Sequence, residues 1–156
     1  MANGETAGLG EEARRIVQQT VDLMDLAAMA TVAEESDEQI VIDMAGADIG
    51  ILIGRRGETL QALQLIASAM FHRKTDSGVR LIVDAEGYRD RRADTLTEKA
   101  LQIASEVRES GKEAVLDSLS AFERRVVHLA LADDPDVYTY SEGEGRERVL
   151  VISPRT

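Results

Sequence analysis

Apolar residues recur along the chain with two periods, and each change of period marks a new element. Between Glu11 and Met29 they return every three or four residues, which predicts an amphipathic helix. Ala30 to Glu34 and Gln39 to Met44 are strand-like stretches separated by a polar turn, which predicts a β-hairpin. A short apolar segment from Ala47 to Ile53 then leads into a turn bounded by glycines.

The helical period returns from Glu58 to Arg73, and Val79 to Asp84 alternates again as a strand does. The residues predicted to face the core from this second helix are Leu60, Leu63, Ala67, Met70 and Phe71. The first half of the chain is therefore predicted to run helix, strand, strand, short helix, helix, strand.

The second half has a different order of elements. Tyr88 to Ser110 has a helical period and ends at Gly111, a residue suited to a helix C-terminus. Ser120 and Glu123 have the spacing of a capping box, which predicts the start of a helix that runs to about Ala132. The residues predicted to face inward from that helix are Phe122, Val126, Leu129 and Ala130. The strands predicted in this half are Lys112 to Asp117, Val137 to Ser141 and Arg148 to Ile152.

These two orders predict an α+β protein of two small adjacent domains. The first has the order α-β-β-α-α-β and the second the order α-β-α-β-β. We expect a disordered tail over residues 1–10, a first domain over 11–85 and a second over 86–156, with no flexible linker between them.

Composition excludes several classes of protein. The 156 residues include no cysteine and only two histidines, so neither a disulfide framework nor a metal site is expected, and no cofactor motif is present. The first 15 residues lack the basic and apolar regions of a signal peptide, and no apolar run approaches the ~20 residues of a membrane span. We therefore expect a cytoplasmic protein that does not insert into the membrane.

The formal net charge of -11 is unevenly distributed. Residues 1–50 hold two basic and 11 acidic side chains, residues 51–92 hold eight and five, and residues 93–156 hold eight and 13. The middle segment is thus the only one with a positive balance. A local basic patch on an acidic protein predicts binding to a polyanion that weakens strongly with salt.

The glycine turn, Gly54-Arg55-Arg56-Gly57, lies in this basic segment. Glycines permit a sharp turn and the close approach of a ligand, and arginines present forked donors that match phosphate oxygens. The amides at the start of the next helix also favour an anion. Taken alone, the tetrad fits a simple helical corner with solvated arginines better. Its context, an apolar lead-in that contains Ile49, Ile51 and Ile53 and an amphipathic helix directly after, favours a phosphate clamp beside an apolar groove for bases.

Two other phosphate-binding motifs do not fit. A Walker loop requires a lysine where Glu58 stands, and a dinucleotide fingerprint requires a glycine spacing that this segment lacks.

Arg124 and His128 are one helical turn apart in the second half. Together they could hold a phosphate and contact a base. On spacing alone, a structural role is favoured, in which Arg124 pairs with a carboxylate and His128 makes a local hydrogen bond. No neighbouring nucleophile or base indicates catalysis.

Arginines also crowd the first turns of the helix that begins at Tyr88, where the helix dipole disfavours positive charge. Arg89, Arg91 and Arg92 either follow the phosphate track or form salt bridges with the acidic first third of the chain. Tyr138 and Tyr140 share one strand face and fit hairpin packing better than base stacking.

ILIGRRGETLQALQ, FERRVVHLAL and DVYTYSEGEG, in this order, resemble the Jag (KhpB) family of bacterial proteins. In that family a type II K homology domain precedes an Arg-x-x-x-His domain. The resemblance implies a non-enzymatic protein that binds single-stranded RNA, or single-stranded DNA, through Gly54 to Gly57, with Arg124 and His128 as signature residues of the second domain.

The resemblance further implies an RNA chaperone or post-transcriptional regulator linked to cell elongation and division. Its implied partner is a small K homology protein or a second copy of the chain. Many members carry an additional amino-terminal Jag domain and a charged linker, whereas the first K homology helix is expected here near residue 11. The alternative function is a protein-interaction adaptor whose acidic surface docks a basic partner.

Overall fold

The computed structural model describes residues 8–156 and divides into two compact units, Met1–Arg89 and Asp90–Thr156. The elements of the first unit are α1 (Leu9–Leu23), β1 (Met29–Glu35), β2 (Gln39–Ala45), α2 (Ile49–Ile53), a 3-10 turn (Arg55–Gly57), α3 (Glu58–Thr75) and β3 (Arg80–Ala85). This is the predicted order α-β-β-α-α-β. Of the predicted tail, residues 1–7 lie outside the described residues, while Leu9 and Gly10 already belong to α1.

The sheet of the first unit has the order β1-β2-β3. β1 and β2 are antiparallel, and β2 and β3 are parallel. The inward residues of β2 and β3 are fully or almost fully buried, as the alternation predicts, namely Ile40, Ile42, Met44, Leu81 and Val83. Phe71 of α3 is the largest fully buried side chain of the molecule, so the core lies between the sheet and the helices α1 and α3.

Both edges of this sheet are covered by glutamine side chains. Gln18 of α1 donates to Ala28 O at 3.0 Å and accepts from Ala30 N at 2.7 Å. Gln64 of α3 donates to Leu81 O and accepts from Val83 N at 2.5 Å. Each amide thus satisfies one donor and one acceptor of an edge strand, which hinders the addition of a further strand there.

The elements of the second unit are α4 (Tyr88–Ser110, whose first two residues belong to the first unit), β4 (Ala114–Leu116), α5 (Ala121–Ala130), β5 (Val137–Glu142), a 3-10 turn (Gly145–Glu147) and β6 (Val149–Pro154). The order α-β-α-β-β agrees with the prediction. The sheet runs β4-β6-β5 with both pairs antiparallel. One sheet face packs with α4 and α5 around Leu96, Ala104, Val127, Leu131 and Ile152.

The first predicted helix is too long. α1 ends at Leu23 instead of Met29, because Asp25 adopts a left-handed conformation (φ 56°) that stops the helix. Met29 is already the first residue of β1. In α3, the predicted core residue Met70 is instead exposed.

The predicted inward face of α5 is wrong. Phe122 is 44% and Leu129 67% exposed, whereas Glu123 and Val127 point inward and are buried. The cause is the predicted capping box. Ser120 N donates to Glu123 Oε2 at 2.8 Å, and Glu123 N donates to Ser120 Oγ at 3.1 Å, which rotates Glu123 inward and Phe122 outward. Arg92 neutralises the buried carboxylate by an ion pair of 2.6 Å.

Candidate nucleic-acid interface

The glycine turn joins α2 to α3 through three residues with positive φ angles. These angles are 72° at Gly54, 54° at Arg56 and 75° at Gly57. Left-handed backbone costs a residue with a Cβ about 1–2 kcal/mol, so the two glycines remove most of the strain and Arg56 retains its share. The conformation turns the chain sharply between the two helices.

Each glycine also makes room for a neighbouring side chain of the protein itself. A Cβ at Gly54 would collide with Thr59 Oγ1 and Cβ. A Cβ at Gly57, which is buried, would lie 2.7 Å from Cε1 and 2.9 Å from the hydroxyl oxygen of Tyr88. The sequence predicts glycines that admit a ligand, but in this structure they admit Thr59 and Tyr88, which hold the turn in place.

Arg55 and Arg56 are both exposed. Among residues 8–156, neither forms an ion pair with a carboxylate. Their amides precede α3, whose first turn has no acceptors within the helix to offer its N–H groups. The turn therefore presents two uncommitted guanidinium groups next to the positive end of an 18-residue helix.

The three isoleucines of the proposed groove do not share one face. Ile49 and Ile53 are four residues apart on α2 and pack against the core, whereas Ile51 is 62% exposed. The segment is helical, so residues at i and i+2 diverge instead of aligning as they would on a strand. Ile51 alone offers an open apolar surface beside the turn.

Arg89 lies at the edge of β3 and not on an open surface. Its Nε donates to Val83 O at 3.1 Å and its Nη2 donates to Gln64 Oε1 at 3.0 Å. Burial lowers the pKa of Arg89, while Asp84 opposes that shift. Arg92, in turn, is bound to Glu123. Neither arginine takes either predicted role, since their partners are neither phosphates nor residues of the acidic first third.

In the second unit, Arg124 and His128 lie on one side of α5. Arg124 Nη1 donates to Leu119 O at 2.7 Å, so its partner is a carbonyl instead of the predicted carboxylate. His128 Nδ1 is 2.6 Å from Thr139 Oγ1 and its Nε2 is 3.2 Å from Ser141 Oγ. Both hydroxyls come from β5, and together they fix the orientation of the imidazole ring.

The charge state of His128 follows from its surroundings. Partial burial, together with the positive charges of Arg124 and Arg148, lowers the pKa of His128. The ring is therefore neutral at pH 7, and each nitrogen can exchange a hydrogen bond with one hydroxyl. An incoming phosphate would favour the charged form, because its negative charge offsets the two arginines.

Several residues of these sites carry no local sequence signal. Thr139, Ser141 and Arg148 are brought to His128 by the pairing of β5 with β6 and by the packing of α5 on the sheet. Tyr88 reaches Gly57 across 31 positions of the chain. Only tertiary structure reveals these partners.

Other candidates have structural partners. His72, at the end of α3, bonds to Val79 O at 2.9 Å. Tyr138 and Tyr140 stack on each other with ring centroids 5.9 Å apart, and Arg155 lies 6.0 Å above Tyr138. Within residues 8–156, no cluster of three or more histidine or acidic side chains could hold a metal ion, and no helix is both long and apolar enough to cross a bilayer.

Comparison with protein families assigns a domain to each half of the chain. The KhpA/KhpB K homology domain matches residues 11–83, and the domain named for its Arg-x-x-x-His motif matches residues 94–154. The chain belongs to the KhpB family. Neither of its domains is an enzymatic family.

Curated KhpB proteins show the same relationship along the sequence. "RNA-binding protein KhpB" of Clostridium symbiosum is 35% identical over 146 residues, which are 93% of this chain and 66% of the relative. The Bacillus subtilis protein of that name is 34% identical, over 77% of this chain and 59% of the relative. That of Lactiplantibacillus plantarum is 40% identical over 68% of this chain and 33% of the relative. The chain thus spans only part of the length of these KhpB proteins.

Proposed function

We propose that this KhpB-family chain binds single-stranded RNA through phosphate contacts at the Gly54–Gly57 turn. The observation that carries the proposal is the pair of exposed arginines without ion-pair partners among residues 8–156, held on a fixed turn of a protein that is otherwise acidic. Guanidinium forks and helix-start amides are complementary to phosphate oxygens. The names of the curated relatives, each an RNA-binding protein, support the same assignment.

The second contact is placed at Arg124 and His128. Their arrangement supports a phosphate site, since Arg124, Arg148 and an oriented imidazole come together with two hydroxyl groups. We expect the variant with Arg124→Ala and His128→Ala to bind RNA more weakly while it stays folded. Unchanged affinity would leave the pair with a purely structural role.

The direct test is a salt titration of RNA binding. The full chain should bind a fluorescein-labelled single-stranded RNA of about 12 nucleotides at low salt, and the logarithm of the binding constant should fall linearly with the logarithm of salt concentration. Duplex DNA should bind more weakly, because the net charge of -11 repels it outside the local basic patch. A single-stranded DNA of the same sequence decides between the two nucleic acids. Absence of binding to either single strand at low salt would favour the adaptor function.

We assign the cellular role from the family resemblance. The chain would act in the cytoplasm as an RNA chaperone or post-transcriptional regulator of genes for cell elongation and division. Crosslinking in cells, followed by sequencing of the bound RNA, should recover such transcripts. An unselective mixture of RNAs would contradict this role.

A protein partner is the second function that an observation favours. α3 carries an exposed apolar stripe of Ala62, Leu65, Ile66, Ala69 and Met70, and Leu65 is 72% exposed. Positions 62, 65, 66, 69 and 70 follow a helical period, so they form one continuous face opposite the buried one. The alanines allow another helix to approach closely.

The occupant proposed for this stripe is a separate small K homology domain. The family model that matches residues 11–83 covers both KhpA and KhpB. A second copy of this chain, also with a charge of -11, would be repelled, which favours a less acidic partner. Leu65→Glu should abolish association with the small K homology protein of the same bacterium in analytical ultracentrifugation. Self-association of the chain alone, lost in Leu65→Glu, would identify a homodimer instead.

A further inference from the structure

The outward side of α5 carries no negative charge. The helix contains one carboxylate, Glu123, and that carboxylate is buried in the capping box and paired with Arg92. The residues on the outward side, which we call the α5 strip, are Phe122, Arg124, Arg125, His128 and Leu129. In a chain of net charge -11, a surface with two arginines, one histidine and two apolar side chains stands out.

The five positions are contiguous around the helix. At about 100° per residue, Arg124 and His128 lie on the side nearest β5, Arg125 follows, and Leu129 and Phe122 lie farthest round. Phe122 and Leu129 are absent from the core of the second unit, so their exposure is not a by-product of core packing. The α5 strip therefore extends the site at Arg124 and His128 sideways from cationic to apolar groups.

We propose that the α5 strip binds an unstacked base of single-stranded RNA on the ring of Phe122, with Arg125 contacting an adjoining phosphate. The proposal rests on RNA binding at Arg124 and His128 and adds the base contact that this site otherwise lacks. From Phe122 to Leu129 the strip is about 10 Å long, at about 1.5 Å per residue. That length accommodates two or three nucleotides at about 3.4 Å per stacked nucleotide.

Alternating cationic and aromatic groups suit a nucleic acid strand. Guanidinium groups follow the phosphates, and an aromatic ring stacks with the flat face of any base. The other exposed aromatic surface of this unit is less suitable. Tyr140 donates to Glu113 Oε1 at 3.4 Å, and Glu113 together with Glu142 helps to raise the pKa of Tyr140, so that face repels a polyanion.

The test compares substitutions of Phe122 in the full chain by anisotropy with the same labelled RNA. Phe122→Ala should weaken binding at least about 5-fold, the lower end of measured base stacking. Phe122→Leu should weaken it similarly although it keeps an apolar side chain, and Phe122→Trp should keep or increase the affinity. Leu101→Ala, at an exposed apolar residue of α4, is the matched control and should bind like the wild type. Thermal unfolding of each variant verifies folding.

Two further readouts separate stacking from charge. Arg125→Ala should reduce the slope of log affinity against log salt by about 0.7, the value for one phosphate on a single strand, whereas Phe122→Ala should leave the slope unchanged. In RNAs with one abasic site, the position that weakens wild-type binding most should affect Phe122→Ala much less. This loss of sensitivity is expected only if that base stacks on Phe122.

The outcomes distinguish this proposal from the one on which it rests. If Phe122→Ala or Phe122→Leu binds RNA as tightly as the wild type, while the Arg124→Ala and His128→Ala variant binds weakly, base stacking on the α5 strip is refuted and RNA binding stands. If the wild type binds no RNA, both proposals fail. If Phe122→Ala loses only an acidic protein partner, the strip is a protein-docking surface and the proposal is wrong.

Discussion

Two arginine-rich turns of the first unit look alike in sequence and differ in structure. The glycine turn exposes Arg55 and Arg56, with no carboxylate partner in the described part of the chain. The start of α4 has Arg89 bound to Val83 and Gln64, and shortly afterwards Arg92 bound to Glu123. The first turn can offer its charge to a ligand, whereas the second uses its charge to hold the fold together. Arginine clusters therefore indicate binding only after their internal partners are known.

The two turns are in contact, because Tyr88 at the start of α4 fills the space beside Gly57. Gly57→Ala should therefore lower the free energy of unfolding by about 2–3 kcal/mol, from left-handed strain and the clash with the tyrosine ring. Gly50→Ala is the matched control. Gly50 is an exposed helical residue with nothing near its missing Cβ, so alanine should stabilise by about 0.5 kcal/mol. Urea unfolding of both variants measures the difference, and equal effects would mean that Tyr88 does not support the turn.

A smaller effect separates the arginines themselves. Arg89→Ala should lower the free energy of unfolding by about 1–2 kcal/mol, because a half-buried charged group loses its hydrogen bonds to Val83 and Gln64. Arg55→Ala should change it by less than about 0.5 kcal/mol, as is usual for an exposed residue.

RNA affinity should show the reverse order. Anisotropy should detect weaker binding by Arg55→Ala and affinity within about 2-fold of the wild type for Arg89→Ala, since only Arg55 is open to phosphate. Loss of affinity without loss of stability in Arg89→Ala would restore that residue to the RNA site.

The smallest effect concerns His128, which shares features of both turns, being partly buried and yet close to the surface. Its pKa is lower in the folded than in the unfolded chain, so the unfolded chain takes up a proton first as the pH falls. The stability that His128 contributes is therefore complete above its unfolded pKa near about 6.5 and is lost as the pH falls through the folded pKa. Relative to His128→Gln, the wild type should lose stability between about pH 7 and pH 5 in thermal unfolding. RNA affinity should change with the opposite sign, rising as the pH falls, and a variant with identical pH profiles would contradict both.

Local sequence patterns predicted the parts of the fold that depend on local chemistry. The alternation in β2 and β3 identified their buried faces, and the spacing of Ser120 and Glu123 identified the start of α5. The same capping box also reverses the predicted face of that helix, because a carboxylate occupies a core position that apolar periodicity reserves for Phe122. A capping box thus signals that its glutamate turns inward, and this signal was available in the sequence.

The candidate site was only partly predictable. The glycine turn and the Arg124–His128 pair are contiguous motifs and could be located directly. The commitment of Arg89 to β3, the support of Gly57 by Tyr88 and the hydroxyl pair at His128 depend on contacts between residues far apart in the chain. Periodicity carries no information about such contacts.

The most direct test of the central claim reverses the charge of the glycine turn. Arg55→Asp with Arg56→Asp should abolish binding of the labelled single-stranded RNA in anisotropy and leave the thermal unfolding midpoint unchanged, because both side chains are exposed. The control, Arg15→Asp with Lys112→Asp, changes the net charge equally at exposed positions elsewhere and should retain most of the affinity. RNA binding by the Arg55→Asp and Arg56→Asp variant equal to that of the wild type would show that the turn is not a phosphate clamp.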